Sequence, residues 1–201
     1  HKKFLKIYHQ AIPCILFQRG HLVLHGSAFS YKNKAILLLG LSGTGKSESV
    51  YQLSKDFKII TDDIICVENK NKNIVCKSGF EFLSVQDDDS NLQLHDKRNR
   101  SLVFLNESQT ELNDLKIEQI FFLHWGDINS IETMIDSNAF KNLMANTFRP
   151  ISSEMCVKSE RHFLETQLSF LNSVKKYSFY RKKGDAKQSI KYLIEFLESD
   201  D

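Results

Sequence analysis

The stretch GLSGTGKSES, Gly40 to Ser49, follows the apolar run KAILLL (34–39) and precedes residues with helical spacing. Residues 40–47 satisfy the pattern G-x-x-x-x-G-K-[ST] without a mismatch. Glycines at 40, 43 and 45 let a backbone close tightly around an anion, because no Cβ intrudes. Amide N–H groups from about Gly43 to Glu48 are then expected to point inward. The helix beginning near Lys46 adds the positive end of its dipole. Lys46 is expected to reach the β- and γ-phosphates of a nucleotide, and the Ser47 hydroxyl to ligate Mg²⁺. A glycine-rich turn matching by chance is disfavoured, since the strand before the loop and the helix after it are both what the motif requires. The expected nucleotide contacts are therefore Gly40, Ser42, Gly43, Thr44, Gly45, Lys46, Ser47 and Glu48, with ATP and Mg²⁺ as cofactors.

A second short run, FKIIT (57–61), reads as another buried strand and ends in Asp62 and Asp63. A magnesium–nucleotide site needs a carboxylate at the end of a neighbouring strand. Successive strand residues point to opposite sides, so the two aspartates are expected to divide the work. One holds the metal; the other faces an acceptor and takes the proton of its hydroxyl. The competing use of either aspartate is to start the turn into Ile64.

Outward from this centre, strands and helices alternate, which predicts an α/β fold with a mixed sheet and flanking helices. Residues 21–31 read as a strand interrupted near Gly26. DIICVENKNKNIVCK (63–77) reads as a hairpin, and SLVFL (101–105) and IEQIFFLHW (117–125) as strands. Residues 84–100 are polar and predict a long surface loop. Apolar spacing over 4–19 predicts a helix that Pro13 breaks or kinks. Asp136 is expected to cap a helix burying Phe140, Leu143 and Met144. Ser152 or Ser153 is expected to cap the next, with Leu164, Leu168 and Leu171 inward. KKYSFYRKK (175–183) reads as an edge strand. Asp185 with Gln188 predicts a capped final helix burying Ile190, Leu193, Ile194 and Leu197.

Composition bounds the function. The 201 residues suit one domain spanning 1–201, and 41% are hydrophobic, enough for a core. A net charge of +2 is too small to argue for nucleic acid, and the basic clusters at Lys2–Lys3, Lys175–Lys176 and Arg181–Lys183 read as solvated faces. The 15 phenylalanines fall at apolar spacing and read as core rather than stacking platforms; Trp125 reads as a core edge. Four cysteines without a C-x-x-C pair predict a reducing, cytoplasmic setting and no zinc site. No apolar run is long enough for a membrane span.

RGHLVLHGSAF (19–29), KAILLLGLSGTGKSE (34–48) and FKIITDDI (57–64) together resemble the HPr kinase/phosphorylase family. They are similar above all to the shorter HPr-kinase-like serine kinases of bacterial peptide-modification clusters, such as those of lasso peptides. The likeness covers about residues 14–90, with a faint echo in DKR (96–98). It implies a P-loop fold related to the nucleotide domain of phosphoenolpyruvate carboxykinase. It also implies Asp62 as the base, Asp63 as a magnesium ligand and His25 as a polar partner of the reacting phosphate. On spacing alone, a lone histidine such as His25 is more often a structural hydrogen-bonder. The EIRGLG-like signature that accompanies phosphorylase activity and oligomer formation in true HPr kinases is absent, so neither HPr nor dephosphorylation is carried over. The expectation is a kinase acting on a serine hydroxyl of a peptide or protein, with a homo-oligomer possible. Arg98 or Arg149 is a candidate to stabilise equatorial charge. Two alternatives stay open, a small-molecule kinase and a nucleotide-binding accessory protein with little turnover.

Overall fold

The structure, a computed structural model, describes residues 11–70, 73–79, 82–86, 100–148 and 160–200. Helical residues 11–18 (α1) continue through Pro13 instead of breaking there. The remaining elements are β1 (Leu22–Tyr31), β2 (Lys34–Leu39), α2 (Lys46–Leu53), β3 (Ile59–Thr61), β4 (Ile64–Lys70), β5 (Asn73–Cys76), β6 (Phe82–Gln86), β7 (Arg100–Phe104), β8 (Leu115–Gly126), β9 (Ser130–Thr133), α3 (Asp136–Asn146), α4 (Glu160–Asn172), β10 (Lys175–Lys182) and α5 (Ala186–Ser199). The expected helix start at 4–10, the centre of the polar loop, the caps at Ser152 or Ser153, and both Arg98 and Arg149 lie outside the described residues.

The strand that feeds the glycine loop is buried on both faces. Strand β2 lies between β1, antiparallel, and β8, parallel. Its uninterrupted apolar run is what such a central strand requires. Ala35, Leu37 and Leu39 enter one core cluster, with Ile65 and Val67 of β4, Phe122 of β8, Leu143 of α3 and Phe170 of α4. Ile36 and Leu38 enter the other, with Val50 and Leu53 of α2, Phe121 of β8, Phe179 of β10, and Ile190, Leu193 and Leu197 of α5. Each fully buried leucine of this kind contributes about 2 kcal/mol.

Residues 22–31 form one continuous strand, not two. Gly26 marks the place where pairing with β2 begins, since Gly26↔Leu39 is the first ladder pair. On its other edge β1 meets β4 and the end of β3 in one register, His25 facing Ile64 and Ala28 facing Thr61, and the register shifts between Ala28 and Phe29. The β1–β2, β2–β8, β8–β5, β5–β4 and β4–β1 ladders thus close a ring. A Cβ on Gly26 would lie 2.8 Å from the Leu38 carbonyl oxygen and 2.9 Å from Ile65 Cδ1. The ring closes this tightly only with glycine there.

Several local expectations change. KKYSFYRKK is not an edge strand: β10 runs between β8, parallel, and β9, antiparallel. The four-residue β9 is too short to show a period in the sequence. Asp136 does not cap α3. Ile135 holds the cap position without a side-chain bond, and the Asp136 carboxylate pairs with Lys176 at 2.8 Å. Met144 is only partly buried, while Ala139, Leu143 and Asn146 face inward. On α4 Leu164 and Leu168 are each 44% exposed, while Gln167, Phe170 and Leu171 are buried. The cap on α5 is as expected, with Asp185 accepting from the Gln188 amide, and Ile194 is partly buried. The 63–77 hairpin is present as β4–β5, and β6 and β7 pair as a separate two-stranded sheet.

Candidate functional site

The glycine loop turns from the end of β2 into α2. Gly43 and Gly45 have φ of 84° and 77°, the left-handed region that L side chains adopt only with strain. Gly45 caps α2 with no side-chain bond, so the first amides of the helix keep no helical acceptor. Gly40 N–H donates to the Asn146 side-chain oxygen at 3.1 Å, which ties the loop's start to α3. One expected inward donor is engaged elsewhere: Thr44 N–H donates to the Leu41 carbonyl at 3.2 Å. The Lys46 ammonium, 6% exposed, donates to the carbonyls of Gly40 (2.6 Å) and Leu41 (3.1 Å), so the cation lies within the loop's own curve. Ser42, Gly43 and Glu48 are exposed.

The aspartates do not alternate along a strand. Strand β3 ends at Thr61, and both carboxylates belong to the turn before β4. Ile64 N–H donates to the Asp62 carbonyl at 2.9 Å, closing a three-residue turn around Asp63, whose φ is 66°. Positive φ at the centre is the rarer and more strained form of that turn. Neighbouring groups hold it. The Asp63 carbonyl accepts from Gly26 N–H at 3.3 Å and lies 3.0 Å from His25 Nδ1. His25 therefore meets the backbone of the aspartate pair.

The register of β1 against β3 and β4, carried through the turn, sets Ser27 opposite Asp62. Ser27 Oγ donates to Asp62 Oδ1 at 2.5 Å, and Ser47 Oγ donates to the same oxygen at 3.3 Å. Asp62 is 4% exposed and Asp63 8% exposed. The folded chain thus brings Lys46, Ser47, Asp62, Asp63 and His25 into one neighbourhood. Ser27 was not marked by the sequence; a serine opposite the acid in a strand register leaves no local signal.

A second contributor went unmarked. Arg181, 1% exposed, donates from Nη2 to the Thr44 carbonyl and from Nη1 to Ser49 Oγ at 2.5 Å. Burial pushes its pKa down to about 10, with Glu48 opposing, so it stays cationic at neutral pH. Its guanidinium lies 5.0 Å from the Trp125 ring centre, and Trp125 Nε1 donates to the Gly43 carbonyl at 3.3 Å. The signal was available: on β10, Tyr177, Phe179 and Arg181 share one side, and the first two are core.

Among the described residues no cluster of three or more His, Cys, Asp or Glu side chains could hold a metal by itself. The donors at the loop are a hydroxyl and carboxylate oxygens. These are hard ligands of the kind Mg²⁺ takes when phosphate oxygens complete its shell, so the residues fit that ion. No described helix is long and apolar enough to cross a membrane.

No family model and no curated protein matches the sequence. Among solved structures, the chain is similar to the HPr(Ser) kinase/phosphatase from Coxiella burnetii. The TM-score is 0.50 at 9% identity, over 89% of this chain and 97% of that one. The fold is HPr-kinase-like. It is a mixed α/β fold of the P-loop kinase type, as the loop and aspartate motifs imply.

Proposed function

We propose that the chain is an ATP- and Mg²⁺-dependent kinase that transfers the γ-phosphoryl group to a serine hydroxyl of a peptide or protein. The observation that carries this reading is the position of Asp62. Its carboxylate lies beside the Ser47 hydroxyl of a full phosphate loop, at 3.3 Å, on an HPr-kinase-like fold. A loop alone would serve any nucleotide hydrolase. A buried acid at its mouth supports proton removal from an attacking alcohol.

In this reading the loop amides and Lys46 hold the β- and γ-phosphates. Asp62 accepts the proton of the acceptor hydroxyl as that oxygen bonds to the γ-phosphorus. The bond to the bridging oxygen breaks, and ADP leaves. Ser47 and Asp63 would hold Mg²⁺, which would supply charge neutralisation at the phosphate oxygens when bound. His25, 3.0 Å from the Asp63 carbonyl, keeps that backbone in place and is the polar partner of the reacting phosphate in this reading.

One contact favours a second assignment of the acids. Because Ser47 and Asp62 share a hydrogen bond, Asp62 also lies where a metal ligand would. Asp62→Asn separates the two. If Asp62 is the base, the variant binds Mg·ATP as tightly as the parent and loses transfer by about a hundredfold or more. If Asp62 serves the metal, the Mg²⁺ dependence of ATP binding falls with it. The acceptor is tested by incubating the protein with Mg·ATP and serine-containing peptides, then reading the mass gain of one phosphate. Gain only on free serine or a metabolite would make it a small-molecule kinase. Nucleotide binding without any product would make it an accessory module.

A further inference from the structure

Two residues from neighbouring strands grip the outer side of the phosphate loop. Trp125 and Arg181 are the penultimate residues of β8 and β10, and the two are register partners in the parallel ladder. Trp125 Nε1 donates to the Gly43 carbonyl and Arg181 Nη2 to the carbonyl of the next residue, Thr44. Arg181 also donates to Ser49 Oγ, one turn into α2, and Ser49 in turn donates to the Gly45 carbonyl at 2.8 Å. Loop, helix start and sheet are therefore joined through one guanidinium.

Geometry gives the grip a direction. The chain has no cis peptide bond among its described residues. In a trans peptide the carbonyl and the following N–H point oppositely. Fixing the Thr44 carbonyl toward Arg181 therefore turns the Gly45 N–H away from it, toward the side where an anion would lie. A Cβ on Gly45 would come 2.9 Å from Arg181 Nη2, so the approach depends on glycine. The guanidinium is buried, and its Nε finds no hydrogen-bond partner among the described residues. A buried cation with an unmet donor costs stability, and the two bonds from its Nη atoms offset part of that cost.

We infer that Arg181, with Trp125, is a positioning residue for the phosphate loop, pre-setting its amides for the polyphosphate of a nucleoside triphosphate without touching the phosphate. The consequence for catalysis rests on the kinase reading above; the clamp itself does not. Pre-setting removes an ordering cost from binding, so the clamp acts on affinity for the nucleotide. Lysine cannot replace it, because a point charge lacks the fork that spans a carbonyl and a hydroxyl.

The test uses the full chain. Hydrogen exchange is followed by mass spectrometry on peptides covering residues 40–49, in the nucleotide-free protein, for the parent, Arg181→Lys and Trp125→Phe. Peptides from α3 serve as the folding control. Loss of a charge-assisted bond predicts exchange about tenfold faster in the loop for Arg181→Lys, with a smaller rise for Trp125→Phe and no change in α3. If Arg181→Lys loosens α3 as well, Trp125→Phe decides alone, since it removes the Nε1 donor but keeps an aromatic ring at a position that is 40% exposed. Unchanged loop exchange in the deciding variant overturns the clamp. With Mg·ATP and an accepted peptide, KM for ATP rises about tenfold in Arg181→Lys while kcat stays within a few-fold. A kcat loss of about a thousandfold at unchanged KM would mean direct contact with the transferring phosphoryl group, and would overturn a positioning role. If the parent binds ATP and its loop loosens in Arg181→Lys, but no acceptor gains a phosphate, the clamp stands and the kinase reading falls; a parent that binds no nucleoside triphosphate overturns both.

Discussion

Ser27 and Asp62 face each other across the register of β1 against β3 and β4, and the serine donates to the carboxylate at 2.5 Å. Both are buried, Ser27 at 0% and Asp62 at 4% exposure. A buried hydroxyl–carboxylate bond aims the acid as well as stabilising it. In Ser27→Ala, Asp62 loses a donor, and the proposed phosphoryl transfer falls about tenfold. Stability falls by about 1–2 kcal/mol, read from urea unfolding. Transfer at the parental rate with stability reduced would show that the bond holds the fold and does not aim the acid.

Gly45→Ala tests the close approach of the loop to Arg181. Alanine would be placed at φ 77°, with its Cβ 2.9 Å from Nη2. The left-handed region alone costs about 1–2 kcal/mol, and the guanidinium must also shift. We expect a lower Tm and Mg·ATP binding weakened about tenfold or more, measured by calorimetric titration. Parental affinity in this variant would contradict the described packing.

Gly26→Ala strikes the ring of strands. The added methyl meets the Leu38 carbonyl oxygen and the side chains of Leu39 and Ile65. Overpacking of this kind costs about 1–3 kcal/mol. The denaturant midpoint should drop with an unchanged slope, since the native surface is the same.

Acid stability should depend on Asp200. Its carboxylate accepts from Lys175 at 2.7 Å, Tyr177 at 3.0 Å and Gln119 at 3.1 Å. The Lys175 bond, ahead of opposing burial, holds its pKa below the usual carboxylate value. A depressed folded pKa means the stabilisation is present above about pH 4 and is lost as pH falls through the folded value. Tyr177 works at the other end. Burial first, then the Asp200 bond, pushes its pKa up to about 12. That contribution is full below about pH 10 and lost as pH rises toward 12. Asp200→Asn should therefore be less stable than the parent at neutral pH, and the two should converge in acid. A constant gap from pH 7 down to pH 2 would rule the linkage out.

How much of this was legible depended on range along the chain. The phosphate loop and the aspartate pair were readable because each is a short local pattern beside an apolar run. Asp185 was readable because its donor, Gln188, is three residues away. The interior place of β10 was not, because its partner β8 lies far back in the chain and β9 carries too few residues to show a period. Gly26 read as a break, since the closure of strands that requires it is visible only in three dimensions. Arg181 was hidden by Lys182 and Lys183, which made a buried cation look like part of a solvated cluster. The arginines weighed instead, Arg98 and Arg149, stand in stretches outside the described residues. Asp62 lies beside the loop through its contact with Ser47, but the argument from strand alternation failed, because a turn carries both aspartates.

The bond between Arg181 and Thr44 joins positions 137 apart. A ribosome adding about 5–20 residues per second delivers the second roughly 7–27 seconds after the first. Throughout that interval the Thr44 carbonyl lacks the guanidinium that holds it in the finished fold. The pre-set form of the loop is therefore a late product of synthesis, completed only once β10 has been made.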